Sequence, residues 1–215
     1  MSYGIPHDML RVSCSPEAYY MLQEQRERRL YLNGLICSID EEEHINEYTS
    51  TVGQIVQFIL AANRRDYDMP VEMRKPITIF INSPGGNVGE GFSLIAAIET
   101  SKTPIYTVNI GQWASMGFLI GITGHKRYSL PYMTFLLHDG YNGAIGSTGK
   151  VFDKLEFDRR FEQTVVREHV LKHSTMSAEY YDAHEHDEIY MLPEDALKYH
   201  FIDGVINDLD EIAQF

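Results

Sequence analysis

Two glycine-rich junctions between a predicted strand and a predicted helix carry residue types suited to acyl chemistry. The first is the run NSPGG at 82–86, where adjacent glycines permit a sharp turn and let a ligand approach the backbone amides closely. The second is GQWASMG at 111–117, which places Ser115 at the start of a helix. Ser115 and Gly117 form half of a GxSxG nucleophile elbow, because Trp113 replaces the first glycine. The two junctions predict a nucleophilic serine near backbone donors for an oxyanion.

A nucleophilic serine also needs a base within hydrogen-bond reach and a group that orients the base. His138 ends an apolar, strand-like run and is the predicted base. Candidates for the orienting acid cluster between Asp182 and Glu188, and Asp187 is the preferred one. The resulting order of Ser, His and Asp differs from the orders of chymotrypsin, subtilisin and the α/β-hydrolases. A triad here therefore implies a hydrolase of another fold.

The elements that must position these residues alternate in type along the chain. Apolar runs predict strands, and apolar residues at helical spacing predict helices. A polar run at 63–75 predicts a long surface connection. The repeated β-α-β pattern predicts an α/β fold with a mainly parallel sheet. The predicted strands are Arg29–Ile36, Ile77–Asn82, Ile105–Ile110, Lys126–Leu130 and Phe135–Leu137, and the predicted helices are Ile45–Leu60, Gly89–Thr100, a short one from Ser115, Lys150–His173 and one beginning at Pro193.

Composition and charge exclude several classes of function. The chain has 215 residues, with 18 Lys and Arg against 31 Asp and Glu, a net charge of −13. This acidic balance argues against a nucleic-acid binder and against adsorption to anionic membranes. No apolar stretch reaches the roughly 18–20 residues that span a bilayer, and the first twenty residues do not resemble a signal peptide. With only Cys14 and Cys37, a disulfide framework is not expected, so we predict a cytoplasmic globular protein.

The histidines offer a weaker signal for a metal. His169 and His173 lie four residues apart on a predicted helix, and His184 and His186 flank Glu185. A zinc site would need a third ligand that the sequence does not place. We therefore predict exposed helical histidines and no metal.

Five segments together make the chain resemble the ClpP family, the proteolytic subunits of ATP-dependent Clp proteases. The resemblance runs from about residue 22 to residue 205. It rests on INSPGG at 81–86, ASMG at 114–117, KRYSLP at 126–131, the histidine after an apolar strand, and ALKYHFID at 196–203. It implies the ClpP/crotonase fold and a serine endopeptidase.

The resemblance also implies a role for each site residue. Ser115 corresponds to the nucleophile, His138 to the base and Asp187 to the acid of a Ser-His-Asp triad. Gly86 and Met116 correspond to the residues whose backbone amides form the oxyanion hole. No cofactor is expected in this subunit, because the ATP is used by the partner unfoldase.

A further implication of the resemblance is a compartment built from a single protease domain, residues 1–215. Residues 1–20 would form an axial segment, and about 139–174 a handle containing a long helix. Handles from two stacked heptameric rings would interlock to enclose a chamber. A hexameric AAA+ unfoldase would feed unfolded proteins into it.

Departures from the family pattern suggest a divergent member, of phage or accessory type. The segment from Ser115 to His138 is about two residues short, and the polar connection is longer than expected. Trp113 replaces a small residue, which predicts a narrowed pocket near the nucleophile. An extra residue after Asp187 leaves Asp182 and Glu188 as rival acids.

Two other functions stay open at this stage. One is a catalytically silent ring subunit that pairs with an active chain, and the shortened spacing between serine and histidine is its main support. The other is a crotonase-type acyl-CoA enzyme, which would use a carboxylate base and would not require a Ser-His pair.

Overall fold

A computed structural model describes residues 16–37, 52–141 and 143–214. The strands are β1 Arg29–Asn33, β2 Ile77–Ser83, β3 Ile105–Ala114, β4 Lys126–Ser129, β5 Thr134–Leu137, β6 Ile189–Met191 and β7 Gly204–Val205. The helices are α1 Pro16–Arg26, α2 Val52–Arg65, α3 Val88–Thr100, α4 Met116–Gly121, α5 Thr148–Phe161, α6 Arg167–Lys172, α7 Ala178–Ala183 and α8 Pro193–Lys198. Short 3-10 segments lie at Val71–Met73 and Leu209–Gln214, and a π-helical segment at Glu162–Val166 joins α5 to α6.

The sheet is parallel except at one edge, which confirms the predicted α/β class. The strands follow the order β1-β2-β3-β4-β7, each parallel to its neighbour. The C-terminal part of β3 pairs with β5, also in parallel, and β6 then pairs antiparallel with β5. Because β2 and β3 are central, both of their faces are covered, which is why their sequences read as nearly continuous apolar runs.

The core lies between this sheet and the helices α2, α3 and α4. Its largest fully buried side chains include four aromatic rings, Trp113, Phe118, Phe135 and Phe201. Helix α4 consists entirely of buried residues, so its position is fixed on all sides. The nucleophile candidate stands at the start of this helix.

Residues Thr148–Lys172 form one continuous helical rod of different character. At about 1.5 Å per residue, its 25 residues span about 37 Å. None of the residues of α5 is buried, and Phe152, Leu155 and Phe157 are exposed. The first half of the rod thus packs little against the rest of the subunit, whereas α6 has two buried side chains, His169 and Val170.

Two predicted elements lie partly outside the described residues. The predicted helix from Ile45 begins among residues 38–51, which lie outside the described residues, and its described part runs from Val52 to Arg65. Helix α2 ends at Arg65 and so includes residues 63–65 of the predicted surface connection. The side-chain amide of Asn63 donates to Ser101 Oγ, which ties the last turn of α2 to the end of α3. Most of the axial segment predicted at 1–20, residues 1–15, also lies outside the described part.

No helix within the described ranges is both long enough and apolar enough to cross a membrane.

Candidate active site

Ser115 occupies the sharp turn between β3 and α4. Its backbone has φ 54° and ψ −125°, a strained conformation for a residue with a side chain. The Ser115 N–H donates to the carbonyl of Leu136 at 3.0 Å, and its carbonyl accepts from the N–H groups of Phe118 and Leu119 at 2.9 and 3.1 Å. These bonds hold the strained turn from both sides. This strand-turn-helix geometry is that of a nucleophile elbow.

The glycine pair after β2 packs directly against this elbow. Gly85 has φ +99°, and a Cβ there would lie 2.7 Å from Ser115 Cβ and 2.9 Å from the Met116 nitrogen. Only glycine allows both the backbone conformation and this close approach. The two junctions singled out in the sequence are therefore in contact in the fold.

The backbone pairing of Gly86 leaves its own N–H on the side away from Ile36. Residue Ile36 forms a parallel bridge with Gly86, donating its N–H to Gly85 O at 2.8 Å and accepting from Asn87 N at 2.7 Å. In such a bridge the N–H of Gly86 itself points away from Ile36, and Gly86 lines the cavity that contains Ser115.

The second predicted oxyanion donor is at the start of α4. Met116 is the first residue of that helix, so its N–H has no acceptor within the helix. Two unpaired peptide donors flanking a serine can stabilise the tetrahedral oxyanion of acyl transfer.

His138 reaches the site because β5 runs parallel to the end of β3. Ala114 is aligned with Leu136, so Ser115 and His138 leave the same edge of the sheet a residue or two beyond that pair. His138 is half-buried, and its ring centroid lies 5.7 Å from that of Tyr141. Among the described residues, no hydrogen bond joins Ser115 Oγ to the imidazole. Resting sites often show such bonds lengthened, and they tighten when substrate binds.

A cavity of about 640 Å³ joins the predicted residues. It is lined by Gly86, Ser115 and His138. Its other walls are largely apolar and include Phe92, Phe157 and Phe161, with the rings of Phe92 and Phe161 packed edge to face at 5.0 Å. An extended peptide with apolar side chains fits such a lining.

Asp187 does not contact the base. It is exposed in the turn after α7, its N–H donates to the carbonyl of His184 at 3.0 Å, and within the described residues its carboxylate makes no hydrogen bond to His138. The structure thus brings Ser115, His138 and Gly86 to one cavity, places Met116 directly after Ser115, and leaves Asp187 outside the cavity lining.

Both rival acids have other partners. Asp182 forms a bidentate ion pair with Arg167, whose Nε and Nη2 donate to the two carboxylate oxygens at 2.6 and 2.8 Å. These hydrogen bonds lower the pKa of Asp182. Glu188 accepts a hydrogen bond from the Tyr190 hydroxyl at 2.7 Å. Neither carboxylate is hydrogen-bonded to the base.

Glu162 is a cavity residue that sequence reasoning did not find. It lies at the start of the π-helical segment and lines the same cavity as Ser115. Burial raises its pKa, and the nearby negative charges of Asp139 and Glu185 raise it further. Glu162 belongs to no local sequence motif, since only tertiary packing places this part of the helical rod beside the cavity.

Trp113 corrects the prediction of a narrowed pocket. Its side chain is fully buried in the core, where it packs edge to face on Phe135 at 5.5 Å. It does not line the cavity. Residues two apart on a strand share a face, but Ser115 lies in the turn after β3, so its side chain does not follow the direction of Trp113.

The prediction of exposed helical histidines is wrong for His169. That side chain is buried beneath α4, and His173 is only partly exposed. The carboxylate of Glu99, on α3, approaches both rings and supplies the third group that the sequence did not place.

The fold and the site together indicate a class of protein. An α/β fold with a serine at a nucleophile elbow and a histidine at the neighbouring strand end is typical of a serine hydrolase. The family model for Clp protease matches residues 42–208. An ATP-dependent Clp protease proteolytic subunit of Leuconostoc citreum is 30% identical over 150 residues, covering 64% of this chain and 70% of that protein. The ATP-dependent Clp protease proteolytic subunit 2 of Thermobifida fusca is 28% identical over 164 residues, covering 75% of each chain.

The chain belongs to the Clp protease family, and it is a peptidase of the ClpP type. Membership implies oligomerisation and assembly with a Clp ATPase.

Proposed function

We propose that the chain is a serine endopeptidase in which Ser115 attacks the peptide carbonyl. His138 takes the serine proton and delivers it to the leaving amine, and the amides of Gly86 and Met116 stabilise the tetrahedral oxyanion. Asp187 orients the imidazole and stabilises its cation. The chemistry draws on protein groups alone. The observation that carries the proposal is the strained turn at Ser115, held by three backbone hydrogen bonds at the mouth of a cavity that also contains His138.

The proposal includes the architecture of the assembly. The single protease domain would form two stacked heptameric rings, with residues 139–174 as the interlocking handle and the N-terminal segment at the axial pore. The exposed apolar side chains of α5 support this, because contact with another subunit would cover them. A hexameric AAA+ unfoldase would deliver unfolded proteins to the chamber in the cytoplasm.

Reaction with a fluorophosphonate tests the nucleophile. We expect a single adduct by intact-mass analysis of the wild-type protein and none in Ser115→Ala, which should still assemble. Turnover of a small peptide should fall by about 10⁶-fold in that variant, as it does when a triad serine is removed elsewhere. An adduct that persists in Ser115→Ala would contradict the assignment.

The same experiment separates a second candidate, the catalytically silent ring subunit. The lack of a hydrogen bond between Ser115 and His138 and the exposed position of Asp187 favour it. It predicts no adduct in protein that light scattering shows to be assembled, at about fourteen times the 24.7 kDa subunit mass for two heptameric rings. It also predicts that peptide turnover appears only when an active partner chain is added.

A further inference from the structure

Three metal-binding side chains converge outside the active site, where the end of α3 meets the end of α6. Glu99 Oε1 lies 3.0 Å from His173 Nε2 and 3.8 Å from His169 Nδ1. One ligand atom from each of the three residues lies within 4.8 Å of the others. His169 lies on α6 and His173 is the residue that follows this helix, one turn further on, so both rings face α3.

Hydrogen bonds fix which nitrogen of His169 is free. His169 Nε2 lies 3.1 Å from the carbonyl oxygen of Leu119, which can only accept, so this nitrogen carries the proton. The Thr123 hydroxyl, 3.2 Å from the same nitrogen, donates its own hydrogen to Leu119 O and is left to accept. His169 Nδ1 therefore presents a lone pair toward the Glu99 carboxylate.

With its proton on Nε2, His169 faces Glu99 through the unprotonated Nδ1. The Nδ1 lone pair and a carboxylate oxygen of Glu99 lie 3.8 Å apart. Two Lewis bases at this separation form a site for a cation.

The spacing suits a tetrahedral ion. Zinc bound at about 2.0–2.1 Å by nitrogen and oxygen places its ligand atoms about 3.3 Å apart. The observed separations of 3.0 and 3.8 Å lie on either side of this value. The outer contacts of His169 to Leu119 and Thr123 are of the kind that orient a metal-bound imidazole.

We propose that Glu99, His169 and His173 bind a divalent transition-metal ion, with Zn²⁺ the ion that best fits two imidazoles and one carboxylate. A solvent-open cavity of about 370 Å³ lined by Glu99 and His173 gives access and leaves room for a water as fourth ligand. Lys172 Nζ lies 2.7 Å from Glu99 Oε1, and this exposed side chain would move away when an ion binds. Binding through His173 Nε2 requires the proton that now faces Glu99 to move to Nδ1, so the neutral imidazole keeps one proton.

The ion would have a structural role, cross-linking two helices, and would not take part in peptide hydrolysis. It would join α6, at the base of the projecting rod, to α3, which begins two residues after Gly86. Through the bond from His169 to Leu119, it would also brace α4, whose start follows Ser115. Binding is therefore expected to raise the thermal stability of the body.

Zinc titration of the full-length protein, free of any affinity tag and stripped with a chelator, tests the site. With ZnCl₂ and a competing chromophoric chelator, we expect one high-affinity ion per subunit. Glu99→Gln and His173→Ala should each weaken this binding by about 100-fold, and Thr123→Val, which removes an outer contact, by about 10-fold. Co²⁺ in the wild-type site should show the visible absorption of a tetrahedral complex.

Two matched variants serve as controls. His184→Ala removes the histidine that follows α7, outside the cluster, and should leave zinc affinity unchanged. Lys172→Ala removes the ammonium that competes for Glu99 and should bind zinc at least as tightly as the wild type. The near-isosteric Glu99→Gln keeps the test valid if His173→Ala fails to fold. Equal zinc affinity in the wild type and Glu99→Gln, or no binding at micromolar zinc, would overturn the proposal.

Discussion

The nucleophile side and the acid side of the site are built in different ways. Ser115 sits between a central strand and a fully buried helix, and three backbone hydrogen bonds hold it. Asp187 lies in an exposed turn after a six-residue helix, where its N–H donates to the carbonyl of His184. The comparison indicates that the fold of one subunit holds Ser115 in place, whereas the described residues of one subunit do not hold Asp187 against His138.

Among variants of the acid side, Asp187→Asn is expected to have the largest effect on peptide turnover. If Asp187 orients the imidazole in the assembled enzyme, the amide stabilises the wrong tautomer, and kcat for a small peptide should fall by about 10⁴-fold. The fluorophosphonate reaction of Ser115 should slow in parallel. Light scattering on the same sample checks that the assembly is intact, and wild-type turnover by an assembled Asp187→Asn enzyme would remove Asp187 from the triad.

An intermediate effect, on stability, is expected from changing the buried ion pair between Arg28 and Asp66. Asp66 is 2% exposed, and its two oxygens bond to the Arg28 guanidinium at 2.6 and 2.7 Å. Thr103 donates a third bond at 3.0 Å. Asp66→Asn leaves the Arg28 charge without its partner, so the free energy of unfolding should fall by about 3 kcal/mol in urea titrations at fixed protein concentration.

The pH dependence of stability sharpens this second prediction. The hydrogen bond from Arg28 lowers the pKa of Asp66 in the folded state, so the unfolded chain takes up a proton first on acidification. The stabilisation is present above the unfolded pKa of about 3.9 and is lost as the pH falls through the lower folded value. The wild type should therefore lose more stability than Asp66→Asn below about pH 4, and parallel curves would contradict this.

The sequence predicted the body better than the acid side because the signals differ in kind. Apolar runs marked β2 and most of β3, but the last four residues of β3 were missed, since Gly111 and Gln112 interrupt the run and the pairing with β5 is tertiary. The polar helices α1 and α7 were missed, since their sequences lack a clear apolar stripe. Short polar elements take their conformation from neighbours that a local pattern does not reveal.

The candidate site shows the same division. Ser115, His138 and Gly86 lie at ends of predicted strands, and parallel pairing brings such ends to one edge. Glu162 and Glu99 carry no local signal, because each meets its neighbours only through the packing of the rod on the body. Helical spacing indicated that His169 and His173 share a face, but not which surface that face meets.

The smallest effect is expected from Asp182→Asn, the rival acid. Both of its oxygens already bond to Arg167, at 2.6 and 2.8 Å, on an exposed surface where such pairs contribute little. Orienting His138 would require Asp182 to give up this partner. We therefore expect peptide turnover within about twofold of the wild type and an unchanged urea midpoint. A loss as large as that of Asp187→Asn would show that assembly breaks the pair with Arg167 and redirects Asp182 to the base.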